Sequence, residues 1–306
     1  MDFFGSCPSA FRWLTNLSIQ NLRFNNSDMP NLLNACDQLR FLCMSSCDSG
    51  LQSVLKIDAP HSQLMELVFD ICSCVRVELI QVPKLVRVVC DTGVLESAPI
   101  VFCHVPLLRD ISLTWSVMNE LSPFLLSNWL SSVTSLSTLT LDFEDWIKPE
   151  DPKRLSRIFN KLRDLYLSDV FAECNLEWTL YLLEAAPSLK NFFLKVQRHK
   201  CTRNIYEGIN RTNLQWKALS NFKHHILNLL DIVGFEVDYK LMTYIRRVMD
   251  RAVQLKMIRL QHKEPCDDCD AQGPLGSNFP RNEIHTDLTR EILAHGFSSA
   301  IEIIVV

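Results

Sequence analysis

Two cysteines near the C-terminal end of the chain, Cys266 and Cys269, have the spacing of half a structural zinc site. Such a site takes four ligands and usually draws them from two closely spaced pairs. The nearest further candidates, His262, Cys201 and His199, do not have that paired spacing. We therefore keep Cys266 and Cys269 as candidate metal ligands, with a turn in a terminal cap as the alternative, and we expect no resident cofactor.

Redox chemistry and catalysis find little support in the sequence. Asp267 and Asp268 lie between the two cysteines and should raise the pKa of both thiols, which disfavours a redox-active pair. Glycine is scarce, at eight in 306 residues, and GxxxxGK, GxGxxG, HExxH and GxSxG patterns are all absent. No combination of nucleophile, base and orienting residue is recognisable, so the sequence predicts a protein that is not an enzyme.

The composition is that of a folded globular protein that has no general affinity for nucleic acid or membranes. Apolar residues make up 47% and charged residues 22%, and the formal net charge is −4. No apolar stretch approaches the length of a spanning helix, and the first residues lack the features of a signal peptide. The twelve cysteines are therefore expected to be reduced thiols, and the location cytoplasmic or nuclear.

The elements that position all of these residues form an internal repeat. Residues 39–47, "LRFLCMSSC", and 64–72, "LMELVFDIC", both fit L-x-x-L-x-L-x-x-C, the core of a leucine-rich repeat. The same frame recurs along the chain at intervals of 21 to 28 residues, apart from one interval of 38. The ten leading leucines are Leu14, Leu39, Leu64, Leu85, Leu108, Leu136, Leu162, Leu189, Leu227 and Leu255.

This repeat predicts an α/β fold, a leucine-rich-repeat solenoid or horseshoe with a parallel sheet on its concave side. Each turn contributes a short strand whose alternate apolar side chains point inward, and neighbouring turns stack because one turn cannot bury its apolar row alone. Cys47 and Cys72 fall where the motif takes a small buried residue, so we expect both to be structural. The leucines expected in the core are Leu17, Leu42, Leu67, Leu139, Leu165 and Leu230.

The segments that return between strands are predicted to differ along the chain. Helices are expected within 29–39, 150–162, 176–189 and 282–296, whereas the shorter intervals leave room only for extended or single-turn returns. Residues 196–226 form an insertion with several basic residues. The last helix, with Gly296 placed to end it, and the strand "AIEIIVV" are expected to cap the solenoid.

Three stretches of the chain resemble plant F-box/LRR/FBD proteins, particularly the grass type. They are "AFRWLTNLSIQNLRF" (10–24), "FKHHILNLLDIVGFEVDYKLMTYIRRVMDRAVQLKMIRL" (222–260), and "EPCDDCD" (264–270) with "FSSAIEIIVV" (297–306). The resemblance implies leucine-rich repeats over residues 1–214 and an FBD-like C-terminal region of repeats and cap over 215–306. In that FBD segment a strand and a Gly-Phe turn lead to a helix and another strand.

What the resemblance implies about function is recognition of another protein as the substrate-binding part of an F-box ubiquitin-ligase receptor. The F-box pattern itself, LPxxLL followed by an SRRW-like element, is absent, so a Skp-type adaptor is expected as a partner only if an F-box is supplied elsewhere. The alternatives are a stand-alone repeat adaptor or sensor unrelated to ubiquitination, and a zinc-binding protein. No nucleic-acid or membrane partner is expected.

A binding site is predicted on the concave side, where the residue between the last two apolar positions of each repeat points outward. Across the ten repeats this column consists of Ser18, Cys43, Val68, Val89, Ser112, Thr140, Tyr166, Phe193, Asp231 and Arg259. Tyr166 and Phe193, with Lys195, Asp231 and Arg259, resemble a binding hot spot, in which Tyr and Arg are enriched. The alternative is that the C-terminal tail or the 196–226 insertion covers these rings.

Overall fold

The computed structural model describes residues 11–25, 28–50, 53–91, 100–114, 125–142, 150–198, 221–263, 277–297 and 301–306. The chain divides into two compact units. Unit 1 comprises Met1–Leu141 with Trp146–Lys148, and unit 2 comprises Asp142–Asp145 with Pro149–Val306. The predicted boundary between repeats and FBD-like region, at 214/215, lies outside the described residues and stays a prediction.

Each of the ten predicted repeats has a strand that begins two residues after its leading leucine. The repeat strands of unit 1 are β1 (Asn16–Gln20), β2 (Phe41–Ser45), β4 (Glu66–Asp70), β6 (Arg87–Asp91), β8 (Asp110–Thr114) and β9 (Thr138–Asp142). Those of unit 2 are β10 (Asp164–Phe171), β11 (Asn191–Gln197), β12 (Leu229–Val233) and β13 (Met257–Gln261), followed by β14 (Glu302–Val305). Within each unit every described pairing is parallel, as predicted.

The core lies where the repeat predicts it, with one exception. Leu42, Leu67, Leu139 and Leu165 are fully buried, and so is Leu230. Leu17 is only half-buried, which corrects the prediction for this position. Its strand, β1, has β2 as its single strand neighbour among the described residues, so one side of Leu17 lacks a stacked repeat.

The cysteines of the repeat motif are buried, as expected. The Cys47 thiol donates to the carbonyl oxygen of Ile19 at 3.7 Å, and the Cys72 thiol to that of Met44 at 3.2 Å. Each thiol therefore reaches back to a strand of the preceding repeat. Burial raises the pKa of the Cys72 thiol to about 11, so this sulfur is protonated at neutral pH and suits a structural role.

The return segments of unit 1 are mainly extended. β3 (Val54–Asp58), β5 (Arg76–Gln81) and β7 (Ile100–His104) pair in parallel as a second sheet of three strands. Extended returns were predicted for the short intervals, but their pairing into a sheet was not. Two helices, α1 (Asp28–Ala35) and α2 (Leu126–Trp129), complete the described part of this unit.

The return segments of unit 2 are helical. They are α3 (Pro152–Phe159), α4 (Trp178–Ala185), α5 (Tyr239–Arg251) and the C-terminal α6 (Glu283–Ala294). Three of these helices begin at a side-chain cap: Asp151 accepts from the Lys153 amide, Asp238 from that of Leu241 and Asn282 from that of His285. Within the described part of the chain, no helix has the length and apolar character needed to cross a membrane.

Candidate protein-binding face

The parallel register of unit 2 brings the predicted column residues side by side. Tyr166 on β10 pairs with Phe193 on β11, which pairs with Asp231 on β12 and then with Arg259 on β13. The residues that alternate with them, such as Leu165 and Leu167, are buried in the core. We call the side of the sheet that carries Tyr166, Phe193, Lys195, Asp231, Arg259 and Gln261 the column face of unit 2.

Two aromatic rings form the flattest part of this face. The rings of Tyr166 and Phe193 are stacked, with centroids 4.2 Å apart and an interplanar angle of 1°. Paired positions on neighbouring strands lie about 4.8 Å apart, so flat side chains at these positions meet face to face. Both residues are partly exposed, and together they present an aromatic platform beside Arg259 and Lys195.

Asp231 is buried on the column face, which corrects the expectation of an exposed charge at this position. The residue is 4% exposed. Its Oδ1 accepts a hydrogen bond of 2.6 Å from Nε2 of Gln261, and its Oδ2 lies 3.2 Å from Nη1 of Arg259. The large side chains paired with it on either side, Phe193 and Arg259, cover the carboxylate, so it positions its neighbours rather than contacting a ligand.

The cationic residues of the face lie on either side of Asp231. The Arg259 side chain is 41% exposed although it also binds Asp231, so the carboxylate fixes the guanidinium while much of it still faces solvent. Lys195 follows Phe193 on the same side of β11 and pairs in register with Val233. The arrangement therefore offers an aromatic surface bordered by positive charge, which suits contact with apolar and acidic groups of another protein.

The turn after β12 holds the end of β11, the strand that carries Phe193 and Lys195. The Arg198 guanidinium donates through Nε to the Gly234 carbonyl oxygen at 3.1 Å, and it lies 2.8 Å from a carboxylate oxygen of Asp238. Gly234 has a φ of +78°, and a Cβ at this position would collide with the carbonyl oxygen of Val196. The Gly-Phe turn was recognised in the sequence, but Arg198 was not, since it falls at the start of the basic insertion.

The described part of the C-terminal tail does not cover the rings. β14 pairs with β13, Met257 with Glu302 and Arg259 with Ile304, so the tail strand extends the sheet beyond Arg259. Residues 199–220 of the insertion lie outside the described residues, and that half of the alternative stays a prediction.

The candidate zinc ligands are not tested by the structure, because Cys266, Cys269, Cys201 and His199 lie outside the described residues. His262 was expected to be solvated, but it is half-buried, its ring edge-on to Phe279 with centroids 4.9 Å apart. In the described ranges there is no group of three or more His, Cys, Asp or Glu residues that could hold a metal ion. We still expect well under one zinc per chain, which elemental analysis of the purified protein measures.

Comparison with known proteins identifies the repeat. The description of the At1g61320/AtMIF1 LRR domain family matches residues 6–291. The chain belongs to this family. It is thus a plant leucine-rich-repeat protein, and domains of this kind act in protein–protein interaction. A search of curated proteins finds no match.

Proposed function

We propose that this chain recognises a partner protein through the column face of unit 2, as the substrate-recognition part of an F-box-type ubiquitin-ligase receptor. The observation that carries the binding site is the Tyr166–Phe193 stack, 4.2 Å between centroids, with the half-exposed Arg259 on a neighbouring strand. Large rigid aromatics beside arginine are the residues that dominate binding energy at protein interfaces.

The ubiquitin-ligase part of the proposal rests on the resemblance to F-box/LRR/FBD proteins. The supporting feature is the sequence 222–260, in which β12, the Gly-Phe turn at Gly234, α5 and β13 follow in the order expected of an FBD segment. A receptor of this kind would work without catalytic residues or a cofactor of its own, and in the cytoplasm or nucleus. The alternative is a repeat adaptor or sensor unrelated to ubiquitination.

The test of the binding site begins with proximity labelling in plant cells, using the wild-type chain and the double variant Tyr166→Ala/Phe193→Ala. Proteins labelled by the wild type are purified and their affinities measured. The double variant should bind at least about tenfold more weakly, in line with roughly 2 kcal/mol for a hot-spot residue. Val68→Ala/Val89→Ala, two column positions of unit 1, is the matched control and should leave affinity unchanged. Equal binding by both aromatic and control variants would place the site elsewhere.

A second experiment separates a ligase receptor from a simple adaptor. If the partner is a substrate, its level in cells rises when the proteasome is inhibited and its capture by the chain increases; an adaptor's partner shows neither change. We also expect these 306 residues by themselves not to bind a purified Skp-type adaptor, because the sequence has no F-box-like stretch. Direct binding at micromolar concentration would contradict that expectation.

A further inference from the structure

The C-terminal helix α6 exposes a row of aliphatic side chains on its outer side. Ile284 is 78% exposed, Leu288 51% and Ile292 44%. Positions i, i+4 and i+8 lie one above the other on a helix, so the three form a continuous stripe rather than scattered apolar residues. A stripe of this kind is ordinarily the side of a helix that packs on a core.

The opposite side of α6 is the one that packs on unit 2. Thr289 and Leu293 are buried there. Much of the attachment is polar: Nη1 of Arg246 donates to the carbonyl oxygens of Ile292 and Leu293 at 2.7 and 3.0 Å, and Nε of Arg290 donates to that of Ile303 at 2.9 Å. The helix is therefore already seated, and its aliphatic stripe takes no part in that seating.

A row of acids accompanies the stripe. Glu283, Asp287 and Glu291 each precede one of the aliphatic residues, and all three are exposed. Arg290 lies 2.9 Å from Asp287, but a surface pair of this kind contributes little and leaves the row acidic. The outer face of α6 thus combines an apolar stripe with a negatively charged border on one side.

We propose that the outer face of α6 docks an amphipathic segment of another protein, one with aliphatic side chains at helical spacing bordered by lysine or arginine. Apolar contact would bury the stripe, and the acids would pair with the basic border of the partner. This surface is separate from the column face, and the proposal does not depend on the function proposed there.

Charge argues against a second copy of the chain as the occupant. An antiparallel pair of α6 helices related by a twofold axis brings the same border of each helix together, so the acid rows would face one another. A parallel pair would bring the acids opposite the border that carries His285, which has no lysine or arginine within α6. A basic partner satisfies the acids and a second copy does not.

The test uses two synthetic helical peptides of about 18 residues with leucine at helical spacing, one bordered by lysine and its twin by glutamate. The full chain should bind the lysine peptide at least about tenfold more tightly than its twin. Leu288→Ser/Ile292→Ser should abolish that binding, whereas Val253→Ser, another exposed aliphatic residue of unit 2, should not. Equal binding of the two peptides, or equal binding by the serine double variant and wild type, would overturn the proposal.

Charge reversal distinguishes docking on α6 from general attraction between an acidic protein and a basic peptide. Asp287→Lys/Glu291→Lys should reverse the preference toward the glutamate peptide. Asp37→Lys/Asp58→Lys makes the same change of net charge at exposed sites in unit 1 and should preserve the original preference. An identical loss in both charge variants would overturn the proposal. So would a wild-type dimer in light scattering that dissociates on Leu288→Ser/Ile292→Ser, because the face would then belong to a second copy.

Discussion

Units 1 and 2 share one repeat and differ in what they display on it. The column of unit 1 consists of small or apolar residues, Ser18, Cys43, Val68, Val89, Ser112 and Thr140, paired in register across its strands. The column of unit 2 carries a stacked aromatic pair and a buried carboxylate held by arginine and glutamine. The column position faces away from the core, so it can change without disturbing the stacking of repeats, and a binding site can occupy one unit alone.

The return segments of the two units differ for a reason that lies in the repeat length. Intervals of 21 to 25 residues in the first part of unit 1 leave a strand's length for the return, and β3, β5 and β7 pair there. Intervals of 26 to 38 residues between leading leucines in unit 2 accommodate helices. Helix ends and longer loops expose more side chains that the repeat does not constrain, which is where the outer face of α6 is found.

Charges in the core should be equally damaging in both units, and this is the largest effect we expect. Leu165→Asp in unit 2 and Leu139→Asp in unit 1 each place an unpaired charge at a fully buried position, at a cost of roughly 3–5 kcal/mol. Both variants should lose soluble expression. Tyr166→Asp, the outward neighbour of Leu165, should remain folded by circular dichroism. Unchanged thermal melting of Leu165→Asp would contradict the register of the repeat.

Glycine substitution should separate the two units. Gly234→Ala in unit 2 combines a φ of +78° with a collision between Cβ and the Val196 carbonyl oxygen, and should lower the free energy of unfolding by about 3 kcal/mol. Gly50→Ala in unit 1 has a φ of +95°, but the atom nearest its Cβ is 3.6 Å away, so only backbone strain of about 1 kcal/mol remains. Urea unfolding measures both, and equal losses would contradict this account.

A buried histidine should give unit 2 a stability that depends on pH. Nδ1 of His224 accepts from the Leu227 amide at 3.1 Å while Nε2 lies 2.9 Å from the Ala186 carbonyl oxygen, which fits the neutral ring with its proton on Nε2. Burial lowers the pKa of His224 below its usual 6.5. Because the unfolded chain takes up the proton first, the contribution is complete above 6.5 and declines as the pH falls below it.

The measurement is the urea midpoint at pH values on both sides of that range. His224→Gln should weaken the dependence on pH, whereas His225→Gln, its exposed neighbour, is the matched control and should largely retain it. The same slope in wild type and His224→Gln would show that other groups are responsible.

The smallest effect concerns the residue that follows a strand of unit 1. Asn21, Ser46 and Ile71 follow β1, β2 and β4, and all three have positive φ, 50° in the case of Ile71. Asparagine tolerates this conformation, and a β-branched residue does so only with strain. Ile71 is 62% exposed, so Ile71→Asn should raise the free energy of unfolding by up to about 1 kcal/mol without loss of packing. A lower urea midpoint would contradict the strain.

The repeat made much of the fold predictable, because its signal is summed over ten occurrences. Strand starts, the buried leucines and the helices capped by Asp151, Asp238 and Asn282 all follow from local patterns. The half-buried state of Leu17 was not predicted, since the motif is the same whether a strand has one neighbour or two. The pairing of Tyr166 with Phe193 followed from the register, while their role as a binding site stays a prediction.

The sequence by itself determined the period of the repeat, the inward positions and the residues that occupy the column, because these depend on alternation along a strand and on intervals along the chain. Only the tertiary structure decided which polar groups are satisfied and which faces remain open. Asp231 is buried because Gln261 and Arg259 reach it from the neighbouring strand. Helical periodicity alone would turn the aliphatic stripe of α6 inward, yet Thr289 and Leu293 are the buried residues. The carbonyl oxygens at the end of that helix bind Arg246 of α5, and this long-range contact fixes which side faces solvent.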